Sequence, residues 1–223
     1  MNRISPSTIG TIKQCPLKYH FRSERIEGIH IESIGRDIGS AVHRAIANTL
    51  NGKEVEEGMD EDEMIAIREK KKDYDNCMEA YKRVLEEEGE PELVEAKIKV
   101  KPWSDLPLLV GIVDFFSKKG TIIDWKTGRS DIYLNDGMKL QGKFYEVLLK
   151  EKGYDVNKIL FVNLRSGKKI SIPKITDGWL RNKILEAMNE VQLHPLLKRP
   201  SYLCDYCEYQ LECKFMGKTI WEL

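Results

Sequence analysis

No stretch of the chain approaches the roughly 18 consecutive apolar residues of a membrane span. The opening "MNRISPSTIG" has no apolar signal core. The sequence therefore reads as a soluble, cytoplasmic protein. Neither sign of charge is in excess, since 36 Lys and Arg balance 36 Asp and Glu. That argues against a surface coated for nonspecific nucleic-acid binding, which is usually basic, so any such contact must come from a local cleft. There is no Walker A sequence, which excludes a P-loop helicase motor. Internal repeats, low-complexity tracts and evident linkers are also missing. Cysteine is sparse and odd in number, five in 223 residues. Without a signal peptide, that count argues against a secreted disulfide framework and leans towards metal or cluster ligation.

What is present is enough apolar residue, 41% of the chain, for a sizeable core in one large domain. "SPSTIGTIKQCPLKYHFRSE" reads as a short helix or two, interrupted at Pro16. "GRDIGSAVHRAIANTL" is amphipathic, with Ile38, Ala41, Val42, Ala45, Ile46 and Leu50 at helical spacing. His43 lies at the edge of that stripe, one turn beyond Gly39. The charged run from Asp60 to Gly89 predicts a long helix or a helical pair with a solvated face. The pattern then changes. "ELVEAKIKV" alternates as a half-buried strand does, "LLVGIVDFF" suits a strand buried on both faces, and "TIIDWK" follows the turn "KKG" as a third strand. "GMKLQGKFYEVLLKEKG" is helical, "KILFVNL" and "KKISIPK" are strands around the turn "RSG", and "GWLRNKILEAMNEVQ" is a helix. This order predicts an α/β or α+β domain. A mainly helical part spans 1–90, an α/β core 91–175, and a final helix with a cysteine segment 176–223.

The segment "GIVDFFSKKGTIIDWKTG" holds charges that apolar strands do not tolerate unpaired. Asp124 and Lys126 project from one strand face. A hairpin at "KKG" would bring Asp114 beside Asp124. Two readings fit. One is a buried aspartate–lysine pair with a strand-end aspartate. The other is a magnesium or manganese site of two carboxylates, with the lysine orienting or helping to deprotonate a water.

"VD" followed ten residues later by "DWK" resembles the D…(D/E)xK core of the PD-(D/E)XK nuclease superfamily, with Val113 in place of the proline. "DWKTG", the "GSAVH" helix and "QGKFY" are similar to motifs of its RecB-like branch, including the small CRISPR-associated nucleases and AddB-type domains. "SPSTIGTIKQCPLKYHF" also looks like the opening of that branch. The resemblance implies a restriction-endonuclease-like mixed sheet flanked by helices, and a metal-dependent DNA nuclease. It makes Asp114, Asp124 and Lys126 catalytic. It adds His43 and the Trp125 carbonyl as metal ligands, and places Gln141 and Tyr145 on DNA. Glu95 is a candidate for a water-mediated metal contact, or a solvated strand residue. Lys118, Lys119 and Arg129 are candidates for phosphate contacts, or solvated turn residues. His20, His30 and His194 gain no role.

"CDYCEYQLEC" places Cys204, Cys207 and Cys213 at a spacing that suits one metal centre and needs a fourth ligand. Spacing alone allows zinc or an iron–sulfur cluster, and Cys15 and Cys77 compete for the fourth place. The resemblance selects Cys15 and a 4Fe-4S cluster that joins the two chain ends. Cys77 is then a spare, semi-buried thiol. The function implied is hydrolysis of single-stranded DNA from its ends. Zero net charge suits a protein that threads one strand through a locally basic passage. An alternative is a noncatalytic DNA-end-binding or assembly subunit, for example in CRISPR spacer acquisition.

Overall fold

The computed structural model describes residues 1–29, 34–215 and 218–219. Its centre is a six-stranded mixed sheet. The strands are β1 (Arg3–Ile4), β2 (Pro91–Val100), β3 (Leu108–Ser117), β4 (Thr121–Lys126), β5 (Lys158–Asn163) and β6 (Lys169–Ser171). β2, β3 and β4 are antiparallel neighbours, β5 runs parallel to β4, and β6 returns antiparallel along β5. The two-residue β1, which carries no readable strand pattern, pairs parallel with the start of β3.

Helices cover both faces of the sheet. On one face, α1 (Pro6–Gln14), α6 (Asp136–Lys150) and α7 (Asp177–Leu193) share a core with Leu109, Val113, Ile122 and Phe161. On the other, α3 (Ile34–Leu50), α4 (Glu61–Glu69) and α5 (Lys71–Glu88) pack on Phe115, Ile123, Trp125 and Val162. The charged run is a pair of helices, broken at Lys70. Asp60 and Glu63 form a capping box at the start of α4, and Glu63 also accepts from Arg44 of α3 at 2.9 Å. That bidentate contact joins α3 to α4.

α2 (Pro16–Ser23) follows α1 after a single extended residue, Cys15. It packs with Tyr209 through Leu17 and Phe21, so the two ends of the chain meet in a small third core. β7 (Leu197–Lys198), a short 3-10 helix (Tyr202–Tyr206), α8 (Gln210–Phe215) and β8 (Lys218–Thr219) make up the C-terminal segment. No described helix is long and apolar enough to cross a membrane.

The β3–β4 turn is tight. Gly120 has φ +82°, and a Cβ there would sit 2.6 Å from the Asp155 carbonyl oxygen. The left-handed backbone alone costs a non-glycine residue about 1–2 kcal/mol, and the clash with backbone adds to it. Gly120→Ala is expected to destabilise the fold by at least about 2 kcal/mol, read as a lower urea midpoint with unchanged slope.

Candidate active site

Asp114 and Asp124 sit where the β3–β4 ladder ends. The last paired residues are Phe115 and Ile123, and one further step sets Asp114 opposite Asp124. There the strands no longer exchange backbone hydrogen bonds. Asp114 takes over, its Oδ2 accepting the Trp125 N–H at 3.0 Å. Asp124 is 2% exposed. Its Oδ1 accepts from Gln141 Nε2 at 2.6 Å, and its Oδ2 lies 2.6 Å from Lys126 Nζ. That second contact is an ion pair with no well-aligned hydrogen bond. Lys126 also donates to Gln141 Oε1 at 3.3 Å. Gln141 donates to Tyr145 Oη, one helical turn further along α6, at 3.0 Å. Buried Asp124 is thus held by one charge and one amide, and the lysine beside it remains partly open to solvent.

The spacing of Gly39 and His43 has a packing cause. They lie one turn apart on the same face of α3. A Cβ at Gly39 would come 2.9 Å from Thr127 Oγ1, so only glycine lets this turn approach the end of β4. One turn on, His43 Nε2 reaches the Trp125 carbonyl at 3.0 Å. With Nε2–H donating, the Nδ1 lone pair faces Asp114 Oδ2 at 3.5 Å and Glu95 Oε1 at 3.8 Å. Three acceptors facing one another repel unless a proton or a metal ion lies among them. His43, Glu95 and Asp114 offer ligand atoms that all lie within 4.8 Å of one another.

Glu95 is the residue that sequence reasoning undervalued. It stands opposite Asp114 on β2, between the pairs Val94↔Phe115 and Ala96↔Val113, and its φ is +47°. A non-glycine residue in that region costs about 1–3 kcal/mol, and such strain gathers at functional sites. Side chains change faces there. Leu109 and Val113, before Asp114, belong to the α6-side core, whereas Phe115 joins the α3-side core and Phe116 returns. The available signal was antiparallel register, which puts Glu95 across from Asp114.

The Trp125 carbonyl is taken up by His43, and Asp124 points to Lys126 and Gln141, outside the three-residue group. Lys118 and Lys119 are not brought to the site. They lie at the hairpin turn, where Lys118 pairs with Glu90 at 2.7 Å and Lys119 donates to the Glu87 carbonyl. Arg129 follows β4 and is exposed. His20 lies against Phe21, His194 caps the end of α7, and His30 lies outside the described residues. Cys77 is fully buried against α3 and α5 partners, not semi-buried, and burial pushes its thiol up.

Burial, then the charge of Asp124, pushes the Asp114 carboxyl up to about 7. Burial likewise raises Asp124, against the pull of Lys126. For His43, burial works downwards, but the facing Glu95 carboxylate and the charges of Asp114 and Asp124 outweigh it and raise it. Tyr145 is raised, chiefly by burial. Its O–H therefore stays protonated while Gln141 Nε2 donates to its oxygen.

Cys15, Cys204, Cys207 and Cys213 line one cleft of about 250 Å³, and all four thiols are free. Cys15 Sγ reaches the Leu197 carbonyl at 3.7 Å. Burial raises the Cys213 thiol. Four thiols around one cleft are chemistry that suits a structural metal or cluster, although no three of the sulfurs lie within 4.8 Å of one another.

The family model of the PD-(D/E)XK nuclease superfamily matches residues 3–214. The chain belongs to this superfamily. Two solved structures share its fold. The crystal structure of SSO0001 is 17% identical at a TM-score of 0.51, covering 96% of this chain and 86% of its own. A candidate exonuclease from Eubacterium rectale is 14% identical at a TM-score of 0.53, covering 92% of both chains. At such identities the likeness is one of fold. No curated protein matches. Superfamily membership brings divalent-metal use, and the His43–Glu95–Asp114 group is chemically suited to a hard cation.

The raised groups make a pH prediction. Asp114 holds a proton in the folded state up to about pH 7 that an unfolded aspartate releases near 4. Chelated protein should therefore lose stability as pH rises through that window, by about 4 kcal/mol at most. The raised His43 works in the same direction. Melting in EDTA across pH 4.5–8, against melting in manganese, checks this; the metal should restore most stability at the alkaline end. Gly39→Val is expected to push α3 away from Thr127 and weaken manganese binding about tenfold, measured by calorimetry.

Proposed function

We propose that this chain is a metal-dependent deoxyribonuclease of the RecB-like branch, acting as an exonuclease on single-stranded DNA. The observation that carries the reading is the pairing of a carboxylate–histidine group with a lysine 2.6 Å from a buried aspartate. Such an arrangement serves phosphodiester hydrolysis better than it serves folding. A purely structural pair would need neither the strained Glu95 nor the three mutually repelling acceptors.

His43, Glu95 and Asp114 would hold a magnesium or manganese ion, with Asp124 at the edge of the group. A bound ion would lower the pKa of water and stabilise charge on the phosphate. Asp124 fixes Lys126 by charge. Lys126, held between Asp124 and Gln141, presents its ammonium to an attacking water and to the phosphate. Gln141 keeps Asp124 and Tyr145 in place with its two N–H groups. The Tyr145 O–H, uncommitted as a donor among the described contacts, is available to a phosphate oxygen.

We assign the four-cysteine cleft to a 4Fe-4S cluster that joins the ends of the chain. The support is the convergence of Cys15 on the C-terminal trio, together with the resemblance of the cysteine pattern to iron–sulfur members of that branch.

End-labelled single-stranded DNA, incubated with manganese and anaerobically purified protein, tests the catalytic reading. Wild type should produce a ladder from one end, and Asp124→Ala should lower the rate at least about a hundredfold. No cleavage by cluster-loaded wild type would sink it. Cys204→Ala should abolish a brown chromophore and lower the melting temperature. A colourless wild type carrying stoichiometric zinc would reject the cluster.

A further inference from the structure

The sheet has a gap at one edge. Leu109 pairs with Val100 of β2 and with Ile4 of β1, so β1 lies on the edge of β3 opposite β2. Phe115 pairs with Val94 of β2 and Ile123 of β4, so β4 lies on that same edge. β1 stops at Leu109 and β4 starts at Phe115. Between them no described strand pairs with Val110–Val113 on this side.

The gap opens into a groove of about 610 Å³. Its sides are the start of α1, at Ser7 and Gly10, and the start of α6, at Gly137 and Met138. Its inner end is the catalytic group, since Lys126, Gln141 and Tyr145 line it too. The β3 side contributes Val110 and Ile112, the latter 45% exposed. Lys97 pairs across from Ile112 on β2, lines the groove, and has no ion-pair partner among the described residues. An exposed apolar wall, free strand-edge amides and a lone lysine therefore continue directly from the lysine of the active site.

We infer that this gap is a strand slot, which takes the unpaired nucleotide next to the scissile phosphate of single-stranded DNA. The inference rests on the nuclease reading for the identity of its occupant. The base lies against Val110 and Ile112, its edge faces the unpaired backbone groups of β3, and Lys97 meets a backbone phosphate. A base in a duplex is already paired and stacked and cannot enter. The slot would therefore be the source of single-strand selectivity, set by a short β1 and not by any residue of the catalytic motif.

Gly10 allows a direct test. A Cβ there meets nothing within 4 Å, and a larger side chain at an exposed helix position improves on glycine's helix propensity. Gly10→Phe would plug the slot without touching the catalytic group, and Ile112→Glu would make its wall repel phosphate. Anisotropy of a labelled single-stranded oligonucleotide in calcium reads binding whether or not cleavage occurs. Each variant should bind at least about tenfold more weakly, while manganese-dependent hydrolysis of bis(p-nitrophenyl) phosphate stays within about twofold of wild type. Unchanged oligonucleotide binding in both variants would overturn the slot. A wild type that binds the oligonucleotide but hydrolyses neither substrate would overturn the nuclease reading alone, because binding still decides the slot.

Discussion

The structure turns on one electrostatic problem: two aspartates placed opposite each other on adjacent strands, one of them almost fully buried. Two like charges in a low-dielectric setting are mutually destabilising. Most of the nearby architecture answers that problem. Lys126 neutralises Asp124 from two residues away on the same strand. Gln141 supplies an amide to the other Asp124 oxygen, which requires α6 to cross the end of β4. The Trp125 N–H supports Asp114, which requires the ladder to stop at that point. His43 reaches the remaining side, which requires α3 to approach closely enough that Gly39 cannot carry a side chain. What remains uncompensated is the space between His43, Glu95 and Asp114. The fold compensates all but the part that a cation would occupy.

The same truncation of pairing serves two purposes. Because β4 leaves β3 at Phe115, Asp114 has room to turn toward Trp125 and His43. Because β1 is only two residues long, the edge of β3 stays unpaired as far as the site. A longer β1 would add hydrogen bonds and stability, and would close the groove. Exposed strand edges are normally paired or covered, so an open one that ends at Lys126 would have a reason beyond folding if Lys126 serves the proposed reaction. Gly111 belongs to this arrangement. A Cβ there would lie 2.6 Å from Leu148 and 3.1 Å from the Tyr145 ring, so the missing side chain lets Tyr145 lie close over β3 at the mouth of the groove.

Much of this was legible in the sequence because it rests on period and order. β3, β4, α6 and α7 follow from apolar patterning, and the "KKG" turn from its glycine. The pairing of Asp114 with Asp124 and Lys126 follows from a hairpin and strand alternation. One element was not legible, and one residue only in part. β1 is too short to have a period, yet it defines the groove. Glu95 sits in a segment whose alternation predicts a solvated side chain, and its left-handed backbone breaks that alternation at the one position where the break matters. Lys118 and Lys119 mislead for the opposite reason. Closeness in sequence to the motif suggests closeness to the site, but a hairpin turn lies at the far end of both strands.

The joining of the chain ends shows what a cluster would and would not contribute. Glu208 accepts from Lys18 at 2.9 Å and Arg22 at 2.7 Å, the Ile29 N–H meets the Glu208 carbonyl, and Arg199 donates to the Lys13 carbonyl at 2.9 Å. Burial works against the Glu208 carboxyl, yet these two cations hold it down at about 2. Leu17, Phe21 and Tyr209 pack beneath. These contacts bring Cys15 and the C-terminal trio to the lining of one cleft with protein groups alone, although no three of their sulfurs lie within 4.8 Å of one another. A cluster held there would act on the C-terminal segment and the cleft it lines, while the central sheet, secured by two separate cores, would not depend on it to fold.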